Sequence, residues 1–294
     1  MTDTPAVAGI ELGGTKCICI LARSPDDVID QIRIETRDPD STLLDIVATI
    51  DAWKAKHGFS ALGIASFGPL DVNRGSPTYG SIVSTTKPGW SATPLISRFQ
   101  HLGVPLGFDT DVVGAAFAEQ RWGAAQGLSD LAYITVGTGI GVGAIAGGRP
   151  VTGYAHGEMG HMRVPRLPGD DWPGVCTFHG DCVEGLACGP AIAARHGPGN
   201  VPNDWEGWAG VEHAIAMLVH NVFVATQPRR VIMGGGVVSA RPALVNAVRD
   251  RCFQSLANFY TAASLGEDFI IEAGLGTQAG PLGALTLGIE ALRQ

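Results

Sequence analysis

Positive charge is scarce in this sequence. Its 294 residues hold 20 Lys and Arg against 28 Asp and Glu, a net charge of −8. DNA, RNA and anionic membranes call for a positive surface, so nucleic-acid and membrane partners are not expected. Long apolar runs are missing too, and nothing uninterrupted approaches the ~18 residues of a membrane span. Residues 1–8 carry Asp3 and no basic side chain, unlike a signal peptide, so a cytoplasmic location is the default expectation. Without export, the six cysteines are not expected to form a disulfide framework. No fixed-period repeat and no low-complexity linker interrupts the chain. Charged residues make up only 16% and hydrophobic ones 45%, which excludes intrinsic disorder and supplies a sizeable core.

Glycine, by contrast, is abundant. The 41 glycines are roughly twice the usual ~7% share and show no collagen-like period, so they belong in turns and close approaches. They punctuate a pattern of strands and helices. Three strand-like runs, 6–12, 16–22 and 28–35, precede a helix that Ser41 can cap and Gly58 stop. Leu43, Leu44, Val47, Ile50 and Trp53 form its apolar stripe. A strand over 61–67 ends at Gly68-Pro69; then come a helix near 95–101, a strand over 104–108 and a helix over 111–121. Near Leu131 the pattern restarts, with strands at 131–136 and 142–145. Helices at 205–226, 241–259 and 280–292 and strands at 230–233 and 269–273 follow. The expected architecture is two α/β domains, each opening with a β-hairpin. The first covers 1–115 and is joined by the C-terminal helix 280–294. The second covers 116–279 and carries a Cys/His loop over 156–184.

Three glycine turns carry possible phosphate chemistry. Gly13-Gly14-Thr15-Lys16 follows an apolar strand, and consecutive backbone N–H groups there can face an anion. It lacks P-loop spacing, and a strand follows it rather than a helix. Gly137-Thr138-Gly139 repeats the strand–turn–strand setting, and Gly234-Gly235-Gly236 lies between a strand and a helix. Each is equally readable as a tight turn; three in this order suggest a nucleotide between two related domains. Asp111 stands where a strand passes into a helix, either as a helix cap or as a base accepting a hydroxyl proton during phosphoryl transfer. Cys176-x-x-His179-x-x-Cys182, with His161 upstream, makes a compact N/S set suited to structural Zn²⁺. The intervening 162–175 holds three Pro and two Gly and little apolar surface, so a metal is expected to order it. Glu158 and Glu184 flank that loop, either as solvated surface carboxylates or as acceptors for hydroxyl groups such as those of a sugar.

These motifs resemble the ROK sugar-kinase family, within the actin-like ATPase superfamily, and most of all its bacterial zinc-containing fructokinases. The resemblance rests on Gly9-Ile-Glu-Leu-Gly-Gly-Thr-Lys16, Ser66-Phe-Gly-Pro-Leu-Asp71, Thr86-Lys-Pro-Gly-Trp90, Thr110-Asp-Val112, Thr135 to Gly143, His156-Gly-Glu-Met-Gly-His161, Cys176 to Ala187 and Met233-Gly-Gly-Gly-Val237. It implies two actin-like (ribonuclease H-like) ATPase domains with a cleft between them, and ATP-dependent phosphorylation of fructose to fructose 6-phosphate. It implies Asp111 as the base on the sugar 6-hydroxyl. Glu158, His161, Glu184, Gly68 and Pro69 would bind the sugar. Gly13, Gly14, Thr15, Lys16, Gly137, Thr138 and Gly139 would hold the phosphates of ATP with Mg²⁺, and Gly234, Gly235 and Gly236 would lie near the adenosine. Structural zinc would sit on His161, Cys176, His179 and Cys182, with the second ring nitrogen of His161 towards the sugar. Lys87 and Trp90 are candidates to close over the sugar, and a homodimer is common among such relatives.

Two positions depart from the pattern. Val113 stands where many relatives carry Asn, and Glu11 where many actin-like kinases carry Asp. The alternatives are a broader hexokinase, mannokinase or glucokinase, and a non-catalytic sugar sensor. The family's repressors add an N-terminal helix-turn-helix; with the motif beginning at Gly9 and the charge negative, none is expected here.

Overall fold

A computed structural model describes residues 5–257 and 265–293. The chain forms two compact units. The first comprises residues 1–122, 151–157 and 277–294, and the second 123–150 and 158–276. Residue 115 lies inside a helix, Asp111–Trp122, which stays whole with the first unit.

The first unit is built on five strands: β1 (Val7–Leu12), β2 (Lys16–Ser24), β3 (Asp27–Glu35), β4 (Leu62–Ser66) and β7 (Leu106–Thr110). They lie in the order β3-β2-β1-β4-β7. The first three form an antiparallel meander, and β4 and β7 add in parallel. The short strands β5 (Ser81–Ile82) and β6 (Thr93–Pro94) make a separate hairpin. Helix α1 (Pro39–Lys56) buries Leu43, Ile46, Ile50 and Trp53, three or four residues apart. Leu44, expected on that stripe, is 70% exposed, and Ile46 takes its place. The cap also differs from expectation. Asp38, not Ser41, accepts the N–H of Ser41, and Pro39 occupies the first turn, where its missing N–H costs nothing.

Helices α2 (Asp111–Trp122) and α8 (Ala279–Ala291) complete this unit. Helix α8 is apolar on nearly every side because it lies directly on the sheet and on α2. A methyl group added at Gly63 or Gly107 would fall on the carbonyl oxygens of Ala284 and Leu287. Strand backbone and helix backbone therefore touch, and only glycine permits it. The segment expected as a helix near residue 95 is a 3-10 turn, Ile96–Leu102.

The second unit repeats the topology. Strands β8 (Leu131–Val136), β9 (Ile140–Ala146), β10 (Arg149–Pro150), β11 (Arg230–Gly234) and β12 (Ile270–Glu272) lie in the order β10-β9-β8-β11-β12. Again three antiparallel strands are followed by two parallel ones. The two β-hairpins with glycine turns thus occupy equivalent places in both sheets. The second core is formed with α3 (Val183–Ala187), α4 (Gly189–His196), α5 (Trp208–Thr226), α6 (Gly236–Ala240) and α7 (Ala243–Leu256). By length and composition α5 could cross a membrane, but it packs against α3 and α7 with twelve residues buried. The helix expected over 241–259 is α7, which starts after Pro242, and a short further helix, α6, precedes it directly after the glycine turn. Residues 258 and 259 of that expectation lie outside the described residues.

Candidate active site and metal cluster

In the first unit, the candidate residues gather at the carboxyl ends of β1, β4 and β7. Thr110 ends β7 and its hydroxyl accepts the N–H of Val113, so Thr110 caps α2. Asp111 is the first helical residue and accepts the adjacent N–H of Val112. Of the two readings open for Asp111, the capping one is thereby filled by its neighbour. Its charge faces that of Glu11, on β1. Burial first, and then the Asp111 charge, raise the Glu11 carboxyl from 4.5 to about 7, against the pull of Lys16. Near neutrality the pair therefore carries less than two negative charges.

The turn 13–16 is tightly held. Gly13 donates to Lys16 O, Thr36 hydroxyl donates to Gly13 O, and Thr36 N–H donates to Thr15 O. Gly68 and Pro69 lie on the loop after β4, where Leu70 N–H donates to His156 Nε2 at 2.8 Å. Burial lowers the pKa of His156, and Asp109, itself raised to about 6 mainly by burial, pulls the other way. An imidazole accepting at Nε2 is neutral, with its proton on Nδ1. His156 was not among the expected site residues, although it opens the His-Gly-Glu motif; the signal was there, but not its partner 86 residues away.

In the second unit, the turn 137–139 and the start of α6 adjoin. A methyl on Gly137 would come no nearer than 3.9 Å to Gly236 N, and one on Gly236 would meet nothing within 4 Å. The first N–H of α4, at Gly189, donates to Gly137 O at 2.7 Å. Gly137 and Gly236 thus face each other with no side chain against them, whereas Gly139 lies against Glu184 and Gly234 against Tyr133.

The same turn connects to the Cys/His cluster through Glu184. Its Oε2 accepts the N–H of Ile140 at 3.0 Å, and its Oε1 lies 3.9 Å from His161 Nε2. Glu158 lies three residues before His161; burial raises its carboxyl, His161 opposes this, and Glu184 adds to it. Gly160 permits the geometry, because a methyl there would fall on Ile140 O.

His161, Cys176, His179 and Cys182 place one donor atom each within 4.8 Å of one another. Cys176 Sγ is 3.6 Å from His161 Nδ1 and 3.7 Å from His179 Nδ1, and Cys182 Sγ is 3.5 Å from His161 Nδ1. A tetrahedral centre with ~2.3 Å bonds to sulfur and ~2.0–2.1 Å bonds to nitrogen requires S···N edges of about 3.6 Å, so the donors fit such an ion. A one-residue β-bridge, Cys176 to Gly180, closes the knuckle. The loop 162–175, expected to depend on a metal for its order, has side-chain contacts of its own. Asp170 pairs with Arg166 and Arg195, Arg166 reaches Asp181, and Arg195 lies over the Trp172 ring.

Comparison with known proteins bears on the family and the fold. The sequence profile of the ROK family matches residues 7–291. The chain belongs to the ROK family. It is one of the family's sugar kinases. It is 37% identical over 290 residues to the fructokinase of Pediococcus pentosaceus, covering 98% of this chain and 99% of that one. Among solved structures, the ROK hexokinase of Thermus thermophilus aligns with a TM-score of 0.78 at 25% identity, over 98% of this chain and 99% of that one. A ROK glucokinase from Streptomyces griseus, solved with glucose and AMPPNP, aligns with a TM-score of 0.74 at 22% identity, over 97% and 99% of the two chains, and shares the fold.

Proposed function

We propose that this ROK kinase is an ATP-dependent fructokinase in which Asp111 takes the proton of the sugar's 6-hydroxyl. The observation that carries the base assignment is the Thr110 cap, which relieves Asp111 of the ordinary helix-capping role. The fructose assignment draws on the 37% identity to the Pediococcus fructokinase over nearly the whole chain.

The first unit supplies Asp111, the turn Gly13-Gly14-Thr15-Lys16 and the Gly68-Pro69 loop. The second supplies Glu158, His161 and Glu184 as acceptors for sugar hydroxyls, the turn Gly137-Thr138-Gly139 for phosphates and Gly234-Gly235-Gly236 for the adenosine. In the reaction the 6-oxygen bonds to the γ-phosphorus, the bond to the β-phosphate oxygen breaks, ADP leaves, and the hydroxyl proton passes to Asp111. Because that proton moves late, a weak base suffices. Partial protonation of Glu11 limits the negative charge that the phosphoryl group meets beside Asp111. Mg²⁺ bound with the nucleotide supplies neutralisation of phosphate charge. Zn²⁺ would be held by His161, Cys176, His179 and Cys182, and with four protein donors its part would be structural. His161 would serve through Nδ1, the nitrogen beside both sulfurs, with its Nε2 towards Glu184.

The test is the identity of the product. With MgATP and fructose the expected product is fructose 6-phosphate, read by ³¹P NMR and by coupling to an isomerase and dehydrogenase. A different hexose phosphorylated faster would transfer the proposal to a broader hexose kinase, with buried Val113 the first position to change.

A further inference from the structure

Lys87 was expected, with Trp90, to close over the sugar. In the structure its ammonium is held by the turn 13–16: Lys87 Nζ donates to Gly14 O at 2.6 Å, across 73 residues. Its loop is anchored in the core. Trp90 is fully buried, its indole N–H donates to Arg37 O, and its ring meets Phe67 edge-on at 5.4 Å. Trp90 N–H returns to Lys87 O, and Lys87 N–H to the Thr85 hydroxyl. The lysine therefore leaves a firm base.

With Lys87 in place, every carbonyl of the turn 13–16 has a donor. Thr36 hydroxyl holds that of Gly13, Lys87 that of Gly14, Thr36 N–H that of Thr15, and Gly13 N–H that of Lys16. Gly14 and Thr15 are exposed, and a methyl on Gly14 would meet nothing within 4 Å. Among the described residues, their N–H groups make no hydrogen bond. A turn with its carbonyls tied back and its N–H groups open is an anion receptor. Three of the four carbonyl donors are neutral backbone or hydroxyl groups; Lys87 alone brings charge, and an ammonium has two further protons to give.

We propose that Lys87 is a positioning residue for the nucleotide's phosphates: it holds Gly14-Thr15 in the receiving conformation and adds a second cation to that of Lys16. The proposal rests on the kinase reading above. It predicts a nucleotide effect rather than a sugar effect. Lys87→Met keeps the apolar stem and removes donor and charge. Losing one partly solvated charge-assisted hydrogen bond should raise KM for MgATP and Kd for MgADP about tenfold. KM for the sugar should stay within about twofold. Lys87→Arg should restore most of the affinity, while Lys87→Gln, a neutral donor, should restore less. MgADP binding is measured by calorimetry on the intact protein, so the result does not depend on which sugar is phosphorylated. If wild type phosphorylates no sugar, the kinase reading fails while the MgADP comparison still decides the role of Lys87. A rise in sugar KM with unchanged MgADP affinity would overturn the proposal and return Lys87 to the sugar. Unchanged MgADP binding in a folded Lys87→Met protein would overturn it as well.

Discussion

Glu11→Gln should stabilise the ligand-free protein at high pH and not at low pH. The half-buried Glu11 carboxyl, facing Asp111, releases its proton only near pH 7, against 4.5 in an open chain. At ~1.36 kcal/mol per unit, that gap is worth about 3 kcal/mol. The sign follows from the proton balance. The folded-state pKa is raised, so Glu11's contribution is fully present below about 4.5 and is lost as pH rises to about 7. Glutamine never ionises and escapes this loss. The variant's advantage over wild type should thus grow between pH 4.5 and 7 and level off above, reaching at most about 3 kcal/mol less whatever its new amide N–H groups lack in partners. Urea unfolding of both proteins at half-unit steps from pH 4.5 to 8.5, without Mg²⁺ or nucleotide, measures it. Titrations of Asp109 and His156 are common to both proteins and largely cancel in the difference. Adding Asp111→Asn to each background should move the midpoint of the pH dependence down, since Asp111 is the second cause of the rise. A pH-independent difference, or one complete by pH 5, would refute the reasoning.

Three further outcomes follow from the packing and the caps. Gly63→Ala drives a methyl into the backbone of α8 and should cost about 3 kcal/mol or more, read as a fall in urea midpoint. Thr110→Val removes the α2 cap and should cost about 1 kcal/mol of stability while displacing Asp111 enough to lower kcat more than it changes KM for ATP. Cys182→Ser should cut bound zinc, measured by atomic emission, from one per chain towards zero. It should also raise KM for the sugar, because His161 and Glu184 lose their fixed orientation; an unchanged sugar KM in the metal-free variant would contradict that link.

The local parts of this molecule could be read from its sequence, and the long-range ones could not. Gly58 stops α1 at a positive φ as expected, because a helix end is a property of a few neighbouring residues. The donors His161, Cys176, His179 and Cys182 come together as their types and spacing indicated. Misreadings arose where neighbours compete. Ser41 and Asp38 can both cap, and Pro39 between them decides for Asp38, since it suits the first helical turn. Leu44 and Ile46 are both apolar, and only the direction in which α1 meets β2 and β3 decides which is buried. The contacts of His156 with Leu70 and of Lys87 with Gly14 span 86 and 73 residues, and no periodicity encodes them. The ion-pair framework of Asp170, Arg166 and Arg195 is illegible for the same reason: Arg195 stands on α4, 25 residues from Asp170, and only the fold brings it to the loop.

The central claim, a sugar kinase with Asp111 as its base, is tested most directly by ADP release. Purified wild type and Asp111→Asn are each given MgATP with fructose, mannose, glucose or N-acetylmannosamine. Fructose should give the highest kcat/KM, and the variant should lose on the order of 10²–10⁴ in kcat, with MgADP affinity retained. Sugar-dependent ADP release undiminished in Asp111→Asn, or none from the folded, zinc-loaded wild type, would contradict it.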